Sequence, residues 1–271
     1  MKAQGKVIVV TGAGAGIGRA VALELLNRGA KGIAAVDLNE AGLAETVKLA
    51  GANADRVSIH AVNLTDRKAV AKLPAAVIKK HGQVDGYAHV AGIIQHFVKI
   101  ADLGYDEFEK VMNVNFWGTV AMYKEFIGEL LKRPEAQILN VSSMGAYAPV
   151  PGQTAYGATK AAVRLFTEGV RGELAGTNVG ATVVFPGATA TNIAGNSGAI
   201  TEAESKAMAA DAPKFKMATP EHAASQIVDA FEKNKFNAPI GSDASMMYKL
   251  VRLAPQKAAE IIQKQMASLL K

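Results

Sequence analysis

The chain has 271 residues, of which 49% are hydrophobic and 20% charged, with a net charge of +6 and no cysteine. This length and apolar content are enough for one sizeable buried core. The absence of cysteine excludes disulfide bonds and thiolate chemistry. Because the basic residues are scattered rather than grouped in blocks, the charge favours a solvated basic surface over a nucleic-acid-binding one.

The start of the chain and its hydropathy suggest where the protein acts. The first apolar run begins within six residues of Met1, without a charged-then-apolar leader. No uncharged run approaches the length of a membrane span. We therefore expect a cytoplasmic protein.

A strand, a glycine-rich turn and a helix are predicted at the beginning of the chain. Lys6–Val10 is a short β-branched run typical of a strand buried on both faces. The turn TGAGAGIG at residues 11–18 leads into a helix that ends near Asn27. Glycines let the backbone approach a ligand closely, and a helix start directs free N–H groups toward it. The segment predicts a pyrophosphate site, the alternative being a structural turn of another α/β protein.

Asp37 ends the second predicted strand, 19 residues after Gly18. A carboxylate at this place can accept hydrogen bonds from the 2′- and 3′-hydroxyls of a ribose, and it would repel a 2′-phosphate. Position 15 is Ala, and Asp37 is followed by Leu38 and Asn39, so no Arg or Lys lies inside the turn or directly after the acid. These residues predict NAD as the cofactor in preference to NADP.

Strands and helices alternate along the rest of the chain. Later strands are predicted at 33–36, 56–61, 84–90, 138–141, 182–185 and 236–241. Helices are predicted at 40–50, from Asp66 through Ile78, and at 104–131, 156–174 and 219–231. Pro74 is expected to interrupt and bend the helix that Asp66 caps. The alternation predicts an α/β, Rossmann-like, doubly wound parallel sheet of about seven strands with helices on both faces. Ligands bind beyond the carboxyl ends of such strands.

Tyr156 and Lys160 lie four residues apart in a predicted helix, so their side chains share one face. Ser143 follows the fifth strand, 13 residues before the tyrosine. A nearby ammonium and an oxidised nicotinamide would both favour the phenolate and lower the pKa of Tyr156, so that it could exchange a proton with an alcohol or ketone. A serine hydroxyl could hold the same substrate oxygen. Taken alone, the tyrosine–lysine spacing is more typical of a helix-surface pair.

The motifs together resemble the short-chain dehydrogenase/reductase family, in its single-domain group. They occur in the family's order and spacing over residues 6 to about 240. The matching segments are TGAGAGIG at 11–18, Asp37, NLTD at 63–66, NVN at 113–115, SS at 142–143, YGATK at 156–160 and PGATAT at 186–191.

The resemblance implies a role for each matching residue. Tyr156 would be the acid–base and Ser143 the ligand of the substrate oxygen, while Ser142 would be structural. Lys160 would lower the pKa of the tyrosine and bind the nicotinamide ribose, and Asn115 would hold a relay water at a helix kink. The implied cofactor contacts are Gly12, Ala15, Gly16, Ile17, Gly18, Asp37, Leu38, Asn63, Leu64, Val90, Ala91, Gly92, Tyr156, Lys160, Pro186, Gly187, Thr189 and Thr191.

Two segments depart from the family pattern. The family usually has Asn-Asn-Ala-Gly after the fourth strand, where this chain has His89-Val90-Ala91-Gly92. We expect a packed His89 in preference to a titrating one, with the missing amide hydrogen bonds lost or remade by the imidazole. Thr189 stands where a branched apolar residue is usual, and its backbone contact survives because Thr is also β-branched.

Other segments carry less specific signals. The remaining histidines show no metal-ligand spacing, so no catalytic metal is expected. Residues 192–217 are rich in Gly, Ala and Ser and are predicted to form a mobile substrate flap. Four side chains fall near the site by motif position and could line a substrate pocket: Gln95, His96, Met144 and Tyr147.

The C-terminal part is predicted as a basic amphipathic tail at 242–271, after a single dehydrogenase domain at 1–241. Such a tail could lie on a membrane, cover an apolar pocket or pack on a partner subunit. Packing on the domain or on a partner is the expected outcome. The family resemblance implies a homodimer or homotetramer, with helices 104–131 and 156–174 at the dimer contact.

The sequence therefore predicts an NAD-dependent oxidoreductase that acts on a secondary alcohol or ketone. The apolar, Met-containing flap and tail favour a hydrophobic substrate. The alternative is a catalytically silent dinucleotide-binding regulatory protein. The intact set of Ser143, Tyr156 and Lys160 argues against that alternative.

Overall fold

The computed structural model describes residues 1–199 and 217–266 and contains a seven-stranded parallel sheet with the order β3-β2-β1-β4-β5-β6-β7. This confirms the predicted Rossmann-like, doubly wound fold. The strands are β1 (Val7–Thr11), β2 (Gly32–Asp37), β3 (Val57–Ala61), β4 (Gly86–His89), β5 (Ala136–Val141), β6 (Val179–Pro186) and β7 (Asn237–Ile240).

Helices cover both faces of this sheet. The described ones are α1 (Gly16–Asn27), α2 (Glu40–Leu49), α3 (Arg67–His81), α4 (Tyr105–Met112), α5 (Gly118–Leu130), α6 (Thr154–Glu173), α7 (Ile193–Asn196), α8 (Pro220–Glu232), α9 (Ser242–Leu253) and α10 (Pro255–Gln265). A π-helical turn, Asn113–Trp117, joins α4 to α5. None of the helices in the described ranges is long and apolar enough to span a membrane.

The core has two layers, one on each side of the sheet. Along β1, Ile8 and Val10 pack with α1 and α8, whereas Val7 and Val9 pack toward α3, α5 and α6. Every residue of β1 is buried, as expected for a parallel strand covered on both faces. Because all the strands are parallel, the polar loops that follow the carboxyl ends of β1 to β6 lie at the same edge of the sheet.

The expected interruption at Pro74 was wrong, because α3 continues through that residue. Pro74 is itself buried, together with Val70, Leu73 and Val77 on the face that packs on the sheet. Most helical stability in proteins comes from such packing, which offsets the one hydrogen bond that proline cannot donate.

The C-terminal helices pack against the loop that follows β5. Ala148 of this loop is buried with Met247 of α9 and with Ala258 and Ile262 of α10. The division into a domain at 1–241 and a tail at 242–271 stays a prediction, as do the subunit contact and the cytoplasmic location. Most of the predicted flap, residues 200–216, and the end of the tail, 267–271, lie outside the described residues.

Candidate active site

All the predicted site residues lie at the carboxyl edge of the sheet or in helices that border it. The glycine turn follows β1, and further predicted residues follow the next five strands. Asn115 reaches this edge from the π-helical turn, while Tyr156 and Lys160 reach it from α6.

The glycine turn is shaped by close backbone approaches. Gly12 has φ +68° and lies so near the loop after β4 that a Cβ there would stand 2.9 Å from the amide nitrogen of Ala91. At Gly18, in the first turn of α1, a Cβ would collide with the carbonyl of Gly12, so only glycine fits at this position. Gly16 faces Thr191, whose Cγ2 would be 3.3 Å from an added Cβ. The loops after β1, β4 and β6 therefore enclose one backbone-lined cradle, which fits a dinucleotide phosphate.

Asp37 lies against this turn. Its Oδ2 accepts a hydrogen bond from the amide of Gly14 at 2.9 Å, and its Oδ1 accepts one from Asn39 at 2.9 Å. An added Cβ on Gly14 would stand 2.9 Å from the carboxylate. The acid is thus fixed beside the cradle at the end of β2, while the neighbouring Leu38 is 72% exposed.

Arg19 is a residue that the sequence analysis missed. Its guanidinium donates to the carbonyl of Gly14, to the carbonyl of Gly42 at 3.2 Å and to Thr46 Oγ1 at 3.0 Å. These bonds tie the glycine turn to α2, next to Asp37. An arginine directly after the last glycine of the turn was the available signal.

Ser143, Tyr156 and Lys160 form a second group of site residues at the carboxyl edge of the sheet. Gly145 donates its amide to Ser143 Oγ at 3.1 Å, and the Lys160 Nζ lies 5.8 Å from the centre of the Tyr156 ring. Lys160 is buried, and its ammonium donates to the carbonyl of Val141 at 3.0 Å. Burial lowers the pKa of Lys160 to about 8.

The expected lowering of the Tyr156 pKa is not found in this structure. Burial raises the pKa of the phenol, and the Ser143 hydroxyl only partly opposes that effect. Lys160 donates its ammonium to the carbonyl of Val141, and burial of the phenol is the largest effect on the pKa of Tyr156.

Asn115 is held by the π-helical turn where the sequence predicted a helix kink. Its Oδ1 accepts from the amide of Ile93 at 2.9 Å, and its Nδ2 donates to the carbonyl of Ile93 at 2.9 Å and to Thr159 Oγ1 at 3.0 Å. A Cβ on Gly92 would stand 2.9 Å from Lys160 Nζ and 3.2 Å from Asn115 Oδ1. Gly92 therefore leaves the room in which the lysine and the asparagine approach each other.

Gln95 fixes the start of the helix that carries the tyrosine. It is 1% exposed, its Oε1 accepts from the amide of Tyr156 at 3.0 Å, and its Nε2 donates to the carbonyl of Gly152 at 3.1 Å. The expectation that it lines a substrate pocket was therefore wrong, because both ends of its amide are used within the fold. His96 is exposed at the surface, and its Nδ1 lies 2.6 Å from Glu107 Oε1.

Three further predicted residues use their side chains within the fold. Ser142 donates to the carbonyl of Lys160 at 2.7 Å, as expected of a structural serine. Asn63 accepts from the amide and hydroxyl of Thr65, and Leu64 is buried in the core. An adenine contact at the buried Leu64 would therefore be made by the backbone, whereas Asn63 is exposed and keeps its side chain at the surface.

His89 is a packed residue. Its Nδ1 lies 2.9 Å from Thr11 Oγ1, which also accepts from the amides of Val90 and Ala91. Because that oxygen already accepts twice, we assign its proton to His89 Nδ1, which leaves the ring proton on Nε2. Nε2 is buried and has no partner within the described residues. Burial, with a smaller effect of Lys160, lowers the pKa of His89 to about 3.

This histidine gives an expected acid sensitivity. Between about pH 6.5 and 3 the unfolded chain binds a proton at position 89 that the folded chain does not. The free energy of unfolding therefore decreases as the pH is lowered, by up to about 1.4 kcal/mol per pH unit. His89→Asn should flatten this slope in urea unfolding series from pH 7 to pH 4. His222→Asn, which removes an exposed imidazole, is the control and should keep the slope. An equal slope in the wild type and in His89→Asn would contradict the assignment.

Within residues 1–199 and 217–266, no three or more His, Cys, Asp or Glu side chains come together to hold a metal ion.

Comparisons with known proteins identify the family. The family model for short chain dehydrogenase matches residues 6–201. The putative oxidoreductase SadH of Mycobacterium tuberculosis is 35% identical over 254 residues, which cover 92% of this chain and 91% of the relative. The chain belongs to the short-chain dehydrogenase/reductase family of oxidoreductases, with its NAD(P)-binding Rossmann fold.

Two solved structures share the fold. A short chain dehydrogenase/reductase from Burkholderia phymatum in complex with NAD has a TM-score of 0.81 at 23% identity, covering 93% of this chain and 96% of that one. A short chain dehydrogenase from Burkholderia cenocepacia in complex with NADP has a TM-score of 0.79 at 23% identity, covering 97% and 99%.

Proposed function

We propose that this protein is an NAD-dependent dehydrogenase or reductase that moves hydride between nicotinamide and a secondary alcohol or ketone. The observation that carries the proposal is the arrangement of Ser143, Tyr156 and Lys160 beside a glycine-lined cradle, with Asn115 approaching the lysine. A dinucleotide bound there would supply or accept the hydride.

The cofactor would be held by residues from several loops. The glycine turn would take the pyrophosphate, Asp37 the adenosine ribose, Lys160 the nicotinamide ribose, and the loop from Pro186 to Thr191 the nicotinamide side. NAD is preferred over NADP because Asp37 places a negative charge beside the ribose position. The two solved structures were bound to NAD and NADP respectively, so the preference for NAD is argued from this chain's own residues and not from theirs.

The chain's own residues would handle the proton. Ser143 orients the substrate oxygen. In reduction the Tyr156 hydroxyl donates its proton to that oxygen, and in oxidation the Tyr156 phenolate receives the proton of the alcohol. Since burial raises the pKa of Tyr156, the protonated phenol suits the donating role. The positive charge of Lys160 favours the phenolate that this donation leaves.

A hydrophobic substrate is supported by the surroundings of Ser143. The next residue is Met144, and Tyr147 and Val150 follow in the same loop, all packed on the apolar cluster formed with α9 and α10. A ligand beside Ser143 would therefore meet thioether, aromatic and aliphatic surface more than charge.

The test is a panel of ketones and secondary alcohols assayed with NADH and NAD⁺. Turnover of at least one member, faster for long aliphatic or polycyclic ketones than for small polar ones, supports the proposal. Nucleotide binding without turnover across the panel would contradict it and favour a catalytically silent protein.

A further inference from the structure

The C-terminal helix α9 begins beside the loop from Pro186 to Thr191. Asp243, in the first turn of α9, accepts a hydrogen bond on Oδ2 from the amide of Ala188 at 2.8 Å. A carboxylate in the first turn of a helix is favoured by the helix dipole, and hydrogen bonds to charged acceptors are stronger than neutral ones.

The neighbouring backbone is built to allow this contact. Gly187 has no room for a side chain, because an added Cβ would collide with the Asp243 carboxylate. Gly241 has φ +96°, which turns the chain from β7 into α9. A second bond, from the amide of Gly187 to the carbonyl of Ile240 at 3.0 Å, fixes the same junction but uses no side chain.

The next residue of α9 contacts the other side of the site. The carbonyl of Ala244 accepts from Tyr147 Oη at 2.9 Å, and Ala244 is fully buried. Tyr147 lies in the loop that begins with Ser143, and its ring packs 5.4 Å from Phe185 and 5.3 Å from Tyr248. Two consecutive residues of α9 thus bind the loops after β5 and β6.

We propose that Asp243 is a positioning residue, whose carboxylate holds the Pro186–Thr191 loop in the conformation that grips the nicotinamide half of the cofactor. Helix α9 then contributes to the cofactor site in addition to packing on the domain. This inference rests on the proposed function for the identity of the ligand. Asp243 would act on the nicotinamide half of the cofactor, whereas the glycine turn and Asp37 lie on the adenosine side.

The test separates the two halves of the cofactor. NADH and ADP-ribose, which lacks nicotinamide, are titrated into the wild type, Asp243→Ala and Asp243→Asn. Loss of one charge-assisted hydrogen bond should weaken NADH binding by about tenfold in Asp243→Ala. The loss should be smaller in Asp243→Asn, whose amide oxygen can still accept. ADP-ribose affinity should not change, which also shows that the variants are folded.

A matched control removes a carboxylate elsewhere. Asp229 pairs with Arg28 at 2.7 Å and with Lys233 at 2.7 Å, away from the loops of the site. Asp229→Ala should bind NADH as the wild type does. Equal NADH affinity of Asp243→Ala and wild type would overturn the proposal, and so would a parallel loss of NADH and ADP-ribose affinity.

Hydrogen exchange tests the contact without any cofactor. The amide of Ala188 is bonded to Asp243, so a peptide covering the Pro186–Thr191 loop should exchange faster in Asp243→Ala than in the wild type. Unchanged exchange would overturn the proposal. A wild type that binds neither NADH nor ADP-ribose would refute the proposed function and this role together, whereas NADH binding insensitive to Asp243→Ala would refute this role alone.

Discussion

Replacing Tyr156 with phenylalanine is expected to lower kcat for ketone reduction by about a thousandfold and to leave the affinity for NADH within a factor of two. A positioned acid–base group typically contributes about 10² to 10⁴ in rate. Phenylalanine keeps the ring, which lies 5.8 Å from Lys160 Nζ, so the packing of α6 should survive. What disappears is the hydroxyl that would donate the proton.

Steady-state kinetics and NADH fluorescence titration measure the two quantities separately. Tyr105→Phe is the control, because it removes a phenolic hydroxyl from a side chain that is 90% exposed. Its kcat should match that of the wild type. If Tyr156→Phe kept full turnover, Tyr156 would not be the proton donor, and the Ser143–Tyr156–Lys160 arrangement would need another role.

Replacing Asp37 with alanine is expected to weaken NADH binding by about tenfold or more and to reduce the discrimination against NADPH. A carboxylate that accepts from both ribose hydroxyls makes two charge-assisted hydrogen bonds, and its charge opposes a 2′-phosphate. The structure adds a second contribution, since Asp37 also holds the amides of Gly14 and Asn39. Its removal loosens the turn as well as the ribose contact.

A variant that removes the charge but keeps the shape of the side chain separates these effects. Asp37→Asn retains a hydrogen-bond acceptor but not the charge, so it should recover part of the NADH affinity while NADPH still binds better than to the wild type. Asp55→Ala removes an exposed acid ahead of β3 and should change neither affinity. A ratio of NADH to NADPH affinity that is the same in wild type and Asp37→Ala would show that another residue sets the preference.

The sequence predicted the fold because parallel strands covered on both faces are short and almost wholly apolar, as β1 is. The edge of the sheet was predictable for a related reason. Polar turns that follow parallel strands must meet there, so the positions of Ser143, Asp37 and the glycine turn follow from chain order. The periodicity of α3 was also correct, although the effect of Pro74 was not, since packing against the sheet decides it.

The residues whose structural roles were not predicted act through contacts distant in sequence. Gln95 bonds to the amide of Tyr156, and Asp243 bonds to that of Ala188. Neither belongs to a motif, and a glutamine or an aspartate gives no sign of which backbone amide it will meet. The pKa of Tyr156 illustrates the same limit, because spacing predicted a neighbouring lysine but not that its ammonium is bound to Val141.

The most direct test of the central claim follows the transferred hydrogen. NADH deuterated at C4 of the nicotinamide, each epimer in turn, is incubated with the enzyme and the best ketone from the panel, and the alcohol is analysed by mass spectrometry. The account predicts that one epimer places deuterium on the carbinol carbon, raising the product mass by about one unit, and that Tyr156→Phe slows this transfer. An alcohol without deuterium from either epimer, or no alcohol at all while NADH binds, would contradict it.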